Sequence, residues 1–266
     1  MNFNVIRPDG DPVPVVVSVP HCGIFFPPEL AIEFKPGLLA DPDDTDWFVN
    51  QLYDFAPAMG ITMITASISR WVIDLNREIN AKPLYGDGRI ITGLCPTTNF
   101  LGEPLYLDER PEVADVEKER RINLFYKPYH HQINDLLAQL LQKHNRVLLW
   151  DCHSIRQCVP TIRKEKFPDL ILGDADGTSA SPGLIETALL QLEKSPYSLS
   201  HNQPFKGGSI TRHFGNPSNG IHALQLEMTK VNYMDDHEKV YSPQRAEKMR
   251  GLLKNVFEHL IDHLVG

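Results

Sequence analysis

The run VPVVVSV, from Val13 to Val19, is the strongest constraint on how this chain folds. It is almost continuously apolar and stops at Pro20-His21-Cys22-Gly23. A short apolar run bounded by turn residues reads as a strand buried on both faces, the kind found in sheets covered on either side. A second such run, Arg146 to Trp150 (RVLLW), recurs past the middle of the chain; a short one covers Leu170 to Leu172, and Ile221 to Met228 alternates as a strand does. Ile61 to about Ser67 and Trp71 to Leu75 read as two further extended stretches.

Helical patterns separate these runs. Asp44 or Thr45 caps a predicted helix through about Ala58, with Phe48, Leu52 and Phe55 on one face and Gly60 closing it. Pro111 to His144 is helical in pattern, with a kink or break forced at Pro128. Ser181-Pro182 sets a capping serine before a first-turn proline and opens a helix to about Lys194. Ser242-Pro243 does the same for the last helix, which runs to about Leu264 on a stripe of Met249, Leu252, Leu253, Val256, Phe257 and Leu260. Strands alternating with helices predict an α/β layered fold around a mixed, largely parallel sheet. With 266 residues and no repeat, low-complexity tract or Gly/Ser linker, residues 1–266 are expected to form a single domain. The loops from Ala81 to Leu105 and from Ser195 to Asn219 are long, and long loops are more often functional than idle.

Charge narrows the partners. A formal net charge of −8 argues against nucleic acid, which needs a surplus of Lys and Arg. It leaves room for a small acidic substrate, because a few local arginines reverse the potential inside a pocket. No run of about 18 apolar residues and no signal-peptide pattern is present, so the expectation is a cytoplasmic protein without a membrane partner. Cys22, Cys95, Cys152 and Cys158 form no C-x-x-C pair and are expected to be free thiols. The oligomeric state is not legible.

Ligands of open α/β sheets bind at the carboxyl ends of the strands. Two predicted strand ends carry similar polar sets, SVPHCG and WDCHS, each placing one histidine beyond an apolar strand. Two neutral imidazoles converging from separate strands, His21 and His153, suit zinc; with a carboxylate they also accept other divalent ions. A catalytic zinc needs a third protein ligand, and Asp46 is the best-placed carboxylate, with Asp43 and Asp44 competing. SRWVIDLNR brings Arg70, Asn76 and Arg77 close together, and the arginine fork suits carboxylates and oxyanions. Alternation in QLEM puts Gln225 and Glu227 on one face, and a carboxylate beside a metal is placed to take a proton from water. In FKGGSITR, Gly207-Gly208 permits close backbone approach to a ligand, with Arg212 following. DADGTS lacks the rest of a calcium loop and reads as a turn near the site.

Seven stretches, SVPHCG, DTDWFVNQLY, SRWVIDLNRE, DCHSI, GDADGTSAS, NQPFKGGSITR and GIHALQLEMTKVNYM, run in one order from about residue 13 to 236. In them the sequence resembles the N-formylglutamate amidohydrolases, or N-formylglutamate deformylases. The resemblance implies an α/β three-layer sandwich of the phosphorylase/hydrolase-like type, similar to zinc carboxypeptidases and aspartoacylase. It implies a Zn2+ cofactor and cleavage of N-formyl-L-glutamate to L-glutamate and formate in histidine degradation. By the same resemblance His21 and His153 look like zinc ligands. The carboxypeptidase pattern has a Glu three residues after the first histidine; Ile24 stands there in this chain, so the carboxylate ligand comes from elsewhere and Asp46 is the choice. Glu227 looks like the general base, and Arg70 like the group that polarises the scissile carbonyl. Asn76 and Arg77 would hold one substrate carboxylate, and Arg212, beside Gly208, the other. Two alternatives stand beside this reading: a metal-dependent deacylase of another N-acyl or N-formyl acidic amino acid, and a non-catalytic metal- or ligand-binding protein.

Overall fold

The computed structural model describes residues 2–80 and 92–266, so the first part of the long loop expected after Ala81 lies outside the described residues. Seven strands form one sheet: β1 (Phe3–Ile6), β2 (Val15–Val19), β3 (Thr62–Ala66), β4 (Val147–Ile155), β5 (Leu170–Gly173), β6 (Leu199–His201) and β7 (Ile221–Thr229). The order across it is β1-β3-β2-β4-β7-β5-β6. Its centre, β3-β2-β4-β7, is parallel throughout. β1 runs antiparallel to β3 at one edge; β5 runs antiparallel to β7 at the other and carries β6 parallel to it. The α/β mixed sheet expected from sequence is therefore present, and the four apolar runs are its strands.

The helices are α1 (Pro28–Ala31), α2 (Pro36–Leu39), α3 (Val49–Leu52), α4 (Asp115–Arg121), α5 (Lys127–Leu141), α6 (Pro182–Glu193), α7 (Ser209–Phe214) and α8 (Pro243–Val265). Alternation along the strands builds a separate core on each face. Val15, Val17 and Val19 of β2 join Leu148, Trp150, Leu224 and Leu226 under α6 and α8. Val16, with Leu149 and Ala223, joins the opposite core against Tyr129, Ile133, Leu136 and Leu140 of α5. A sheet with helices on both faces is a three-layer sandwich. Burying each large apolar side chain contributes roughly 1.5–3 kcal/mol, so these two cores hold the layers together without disulfides; all four cysteines are free.

Several local expectations are corrected. No single helix spans 44–58: that stretch is a turn, the short α3 and a 3-10 turn over Ala56–Met59. Tertiary partners override the periodicity there, because the Asp46 N–H donates to the His21 carbonyl and Phe48 adopts a positive φ of 62°. Trp71 to Leu75 is not a strand. Val72 N–H and Ile73 N–H turn back onto the Ser69 carbonyl, and the apolar run is buried as a packed loop. Of the kink or break expected at Pro128, the chain shows an irregular turn just before it and no break. A π turn over Ile122–Tyr126 joins α4 to α5, and the Leu124 carbonyl, which Pro128 has no N–H to serve, accepts from Asn2 Nδ2 at 2.7 Å. Ser181 and Ser242 make no side-chain caps; the prolines that follow start those helices by their fixed φ. The short edge strands β1 and β6 were not legible in the sequence pattern.

Candidate metal and amidohydrolase site

The alternation that fills the α5-side core changes character toward the carboxyl end of each central strand. Val16 gives way to Ser18, Leu149 to Asp151 and His153, and Ala223 to Gln225 and Glu227. The register aligns them: Ser18 pairs with Asp151, Asp151 with Gln225, and His153 with Glu227. The same face that is a hydrophobic core at one end of the sheet is thus a buried polar site at the other. His21 lies just past β2 as expected, whereas His153 sits within β4 rather than beyond it.

His21, Asp46 and His153 come together, each offering a ligand atom within 4.8 Å of the others. His153 Nδ1 is 3.2 Å and His21 Nδ1 3.7 Å from Asp46 Oδ2. The three candidate aspartates differ in their partners. Asp44 accepts from Trp71 Nε1 and from the Phe100 N–H, Asp43 pairs with Arg156, and only Asp46 faces the histidines. Ile24 is 55% exposed and takes no part. Burial alone would raise the Asp46 carboxyl, but the His153 and His21 rings beside it outweigh burial and hold it well below the ordinary range.

The opposite nitrogens of both rings are tied to carboxylates. His21 Nε2 donates to Asp74 Oδ1 at 2.7 Å, and His153 Nε2 to Asp151 Oδ2 at 2.9 Å. A carboxylate only accepts, so each ring donates from Nε2, which leaves Nδ1, the atom turned toward Asp46, as the one that would meet a cation. Among the described residues, His21 Nδ1 and Asp46 Oδ1 are buried without a hydrogen-bond partner. Buried polar atoms rarely go unsatisfied, and two that converge beside a third donor fit a divalent cation.

Glu227 is packed at the rim of this group. Burial and the neighbouring Asp46 push its carboxyl up, against the pull of His153 and Arg70, to about 8. Arg70 lies beside it, 7% exposed: Nη2 donates to Asp74 Oδ2 at 2.8 Å, Nη1 stands 3.9 Å from Asp46 Oδ1, and Phe100 stacks 4.7 Å from its guanidinium carbon. A cavity of about 540 Å³ opens onto these residues, and Arg77 and Arg212 also line it. Arg77 Nε donates to the Thr92 carbonyl at 3.0 Å, and Arg212 to the Gly207 carbonyl.

Asn76 and Gly208 line the same cavity but are engaged with the scaffold. Asn76 Nδ2 lies 2.9 Å from His153 Nε2 and donates to Asp151 Oδ2 at 3.3 Å, while its Oδ1 accepts from the Ile210 N–H at 2.7 Å. A Cβ on Gly208 would fall 2.1 Å from Asn76 Nδ2, so the glycine makes room for this amide. The close approach expected at Gly208 is therefore made by a neighbouring side chain. Asp174 begins a turn through two positive-φ residues, Ala175 and Asp176, matching the expectation for that stretch. Sequence reading assigned no role to Asp74 and Asp151. The available signal was a single acid inside each apolar run, two residues before His153 and four after Arg70.

Residues 13–234 match the N-formylglutamate amidohydrolase family. An N-formylglutamate deformylase of Pseudomonas putida is 38% identical over 94% of this chain and 92% of its own. The Pseudomonas aeruginosa protein of the same name is 38% identical over 94% and 93%. Among solved structures, an N-formylglutamate amidohydrolase from Ralstonia eutropha JMP134 superposes with a TM-score of 0.81 at 26% identity, covering 99% of this chain and 98% of that one. A gene product of Agrobacterium tumefaciens shares the fold at 13% identity, TM-score 0.77, over 98% and 95%. An α/β sandwich with a buried His-Asp-His group and a glutamate at the carboxyl ends of its parallel strands is, with these relatives, the build of an amidohydrolase. The chain belongs to the N-formylglutamate amidohydrolase family.

Proposed function

We propose that this chain hydrolyses N-formyl-L-glutamate to L-glutamate and formate, with Zn2+ as cofactor, as a cytoplasmic step of histidine degradation. The observation that carries the metal-dependent reading is the convergence of His21 Nδ1, Asp46 and His153 Nδ1 beside Glu227, with two buried atoms among them lacking any other partner. The substrate follows from the relatives' names and from the arginines that line the cavity of a net-negative chain.

A divalent cation held by His21, Asp46 and His153 supplies a Lewis acid that polarises a carbonyl and acidifies water. Glu227 accepts the proton of the attacking water in its ionised form, which a cation held by its neighbours would favour, and returns it to the nitrogen as the formyl C–N bond breaks. Arg70, fixed beside Asp46, stabilises the negative charge that develops on the carbonyl oxygen. Arg77 and Arg212 hold the two substrate carboxylates through charge-assisted hydrogen bonds. Asn76 and Gly208 contribute to the floor of the substrate pocket, where Asn76 also donates to Asp151, the carboxylate behind His153.

Purified protein assayed on N-formyl and N-acetyl amino acids tests the assignment: N-formyl-L-glutamate should lead by orders of magnitude. Comparable rates on neutral formyl amino acids would sink it. A larger N-acyl group on an acidic amino acid is the second reading, favoured by an apolar wall of Phe100, Ile155, Ile162 and Phe205. Faster turnover of N-acetylglutamate than of the formyl compound would establish that reading.

A further inference from the structure

Asp74 is fully buried and divides its two oxygens between two parts of the site. Oδ1 accepts from His21 Nε2 at 2.7 Å and from the Asn76 N–H at 2.9 Å. Oδ2 accepts from Arg70 Nη2 at 2.8 Å, with Arg77 Nε at 3.9 Å. The Asp74 N–H is itself anchored on the Leu94 carbonyl at 2.7 Å. The matching carboxylate behind His153 differs in this respect: Asp151 Oδ2 takes His153 Nε2, but Oδ1 takes the Ser18 hydroxyl at 3.2 Å, and among the described residues no arginine is held.

We infer that Asp74 is a positioning residue that sets His21 and Arg70 as a pair, so that the lone pair on His21 Nδ1 and the guanidinium edge keep a fixed separation around the position a cation occupies. The inference rests on the reading of His21 as a metal ligand and Arg70 as the group that meets the developing oxyanion.

The chemistry of the residue makes this specific. The carboxylate accepts on both oxygens at once. An isosteric amide has one acceptor oxygen and two N–H donors. In Asp74→Asn that oxygen can serve His21 Nε2–H or Arg70 Nη2–H, and the amide N–H repels whichever donor is left. Either the imidazole turns or the guanidinium lets go, although side-chain volume hardly changes.

The test uses purified full-length protein with Zn2+ as the probe metal. Zinc affinity is read by competition with a chromophoric chelator, and kcat and KM for N-formyl-L-glutamate are read at saturating zinc, for wild type, Asp74→Asn, Arg70→Gln and the double variant. The expected result for Asp74→Asn is zinc affinity lower by about 10–100-fold, the usual effect of removing a carboxylate behind a ligating histidine. Its kcat should stay depressed at saturating zinc. The double variant should lie within about twofold of Arg70→Gln, because both changes remove one unit. Wild-type zinc affinity in Asp74→Asn, or kcat losses that multiply in the double variant, would overturn the inference. Should Asp74→Asn not fold, histidine 15N spectra of zinc-loaded wild type decide: Nδ1 ligation with a proton on Nε2 of His21 supports it, and ligation through Nε2 overturns it. Wild type that binds no zinc is a distinct result, which would remove the metal reading of the site and this inference with it.

Discussion

His153 and Glu227 stand opposite each other in the ladder between the parallel strands β4 and β7. One faces Asp46 and the other borders the same group, so the spacing between a candidate metal ligand and a candidate proton carrier is set by sheet hydrogen bonding. Loops then supply the remaining parts: Asp46 from the turn before α3, and Arg70, Asp74 and Asn76 from the buried turn after β3.

Glu227→Gln keeps the size of the side chain and removes its ability to take a proton. It is expected to retain Zn2+ and to lose about 10²–10⁴-fold in kcat, the span typical of a general acid–base group. Steady-state kinetics with metal analysis on the same samples checks this. Near-normal turnover would assign the proton transfer elsewhere.

Arg77 and Arg212 are expected to act through binding. A hydrogen bond to a charged group contributes roughly 1.5–3 kcal/mol, so Arg77→Ala or Arg212→Ala should raise KM for N-formyl-L-glutamate about 10–100-fold with a smaller effect on kcat. A neutral formyl amino acid keeps one of the two carboxylates, so one of these variants should slow its turnover further and the other leave it unchanged. If each variant loses kcat and keeps KM, the substrate carboxylates are not where these arginines are.

Gly208→Ala places a methyl group on Asn76, with no space for it. Overpacking of this kind costs about 1–3 kcal/mol, which denaturant unfolding resolves. Because Asn76 contacts His153 and Asp151, zinc affinity should fall as well. An unaltered unfolding midpoint would mean that the 207–208 loop yields freely.

His130 gives the stability a pH dependence separate from the site. Burial, against the hydrogen bond to the Leu75 carbonyl and with help from His213, brings its pKa down to about 4. It stacks on Tyr126 at 4.0 Å in the neutral form. Its folded pKa lies below the unfolded value of about 6.5, so its contribution is complete above pH 6.5 and is lost as pH falls toward 4. Unfolding free energies measured between pH 7 and 4 should fall less steeply in His130→Gln than in wild type. Equal slopes would exclude the assignment.

What the sequence showed and what it hid follow from range. The apolar runs at Val15–Val19 and Val147–Trp150 need a covered parallel sheet whatever else the chain does, and His21 lies just past the first of them, while His153 and Glu227 lie on β4 and β7 themselves. The Asp44–Ala58 stretch misled because its helical periodicity is real, yet Asp44 is claimed by Trp71 and Phe100, far along the chain. Trp71 to Leu75 misled because burial alone does not separate a strand from a loop packed under its neighbours. Asn76 was legible as a polar site residue. Its bond to Asp151 and its need for Gly208 were not, since both depend on contacts more than seventy residues apart.

Zinc binding by wild type beside His21→Ala, Asp46→Ala and His153→Ala tests the central claim most directly. Metal-free protein titrated with Zn2+ should take it up stoichiometrically in the wild type, with affinity weakened by orders of magnitude in each variant and activity restored only where metal returns. An Asp46→Ala protein that holds zinc as tightly as wild type would contradict the His21, Asp46, His153 site on which the account is built.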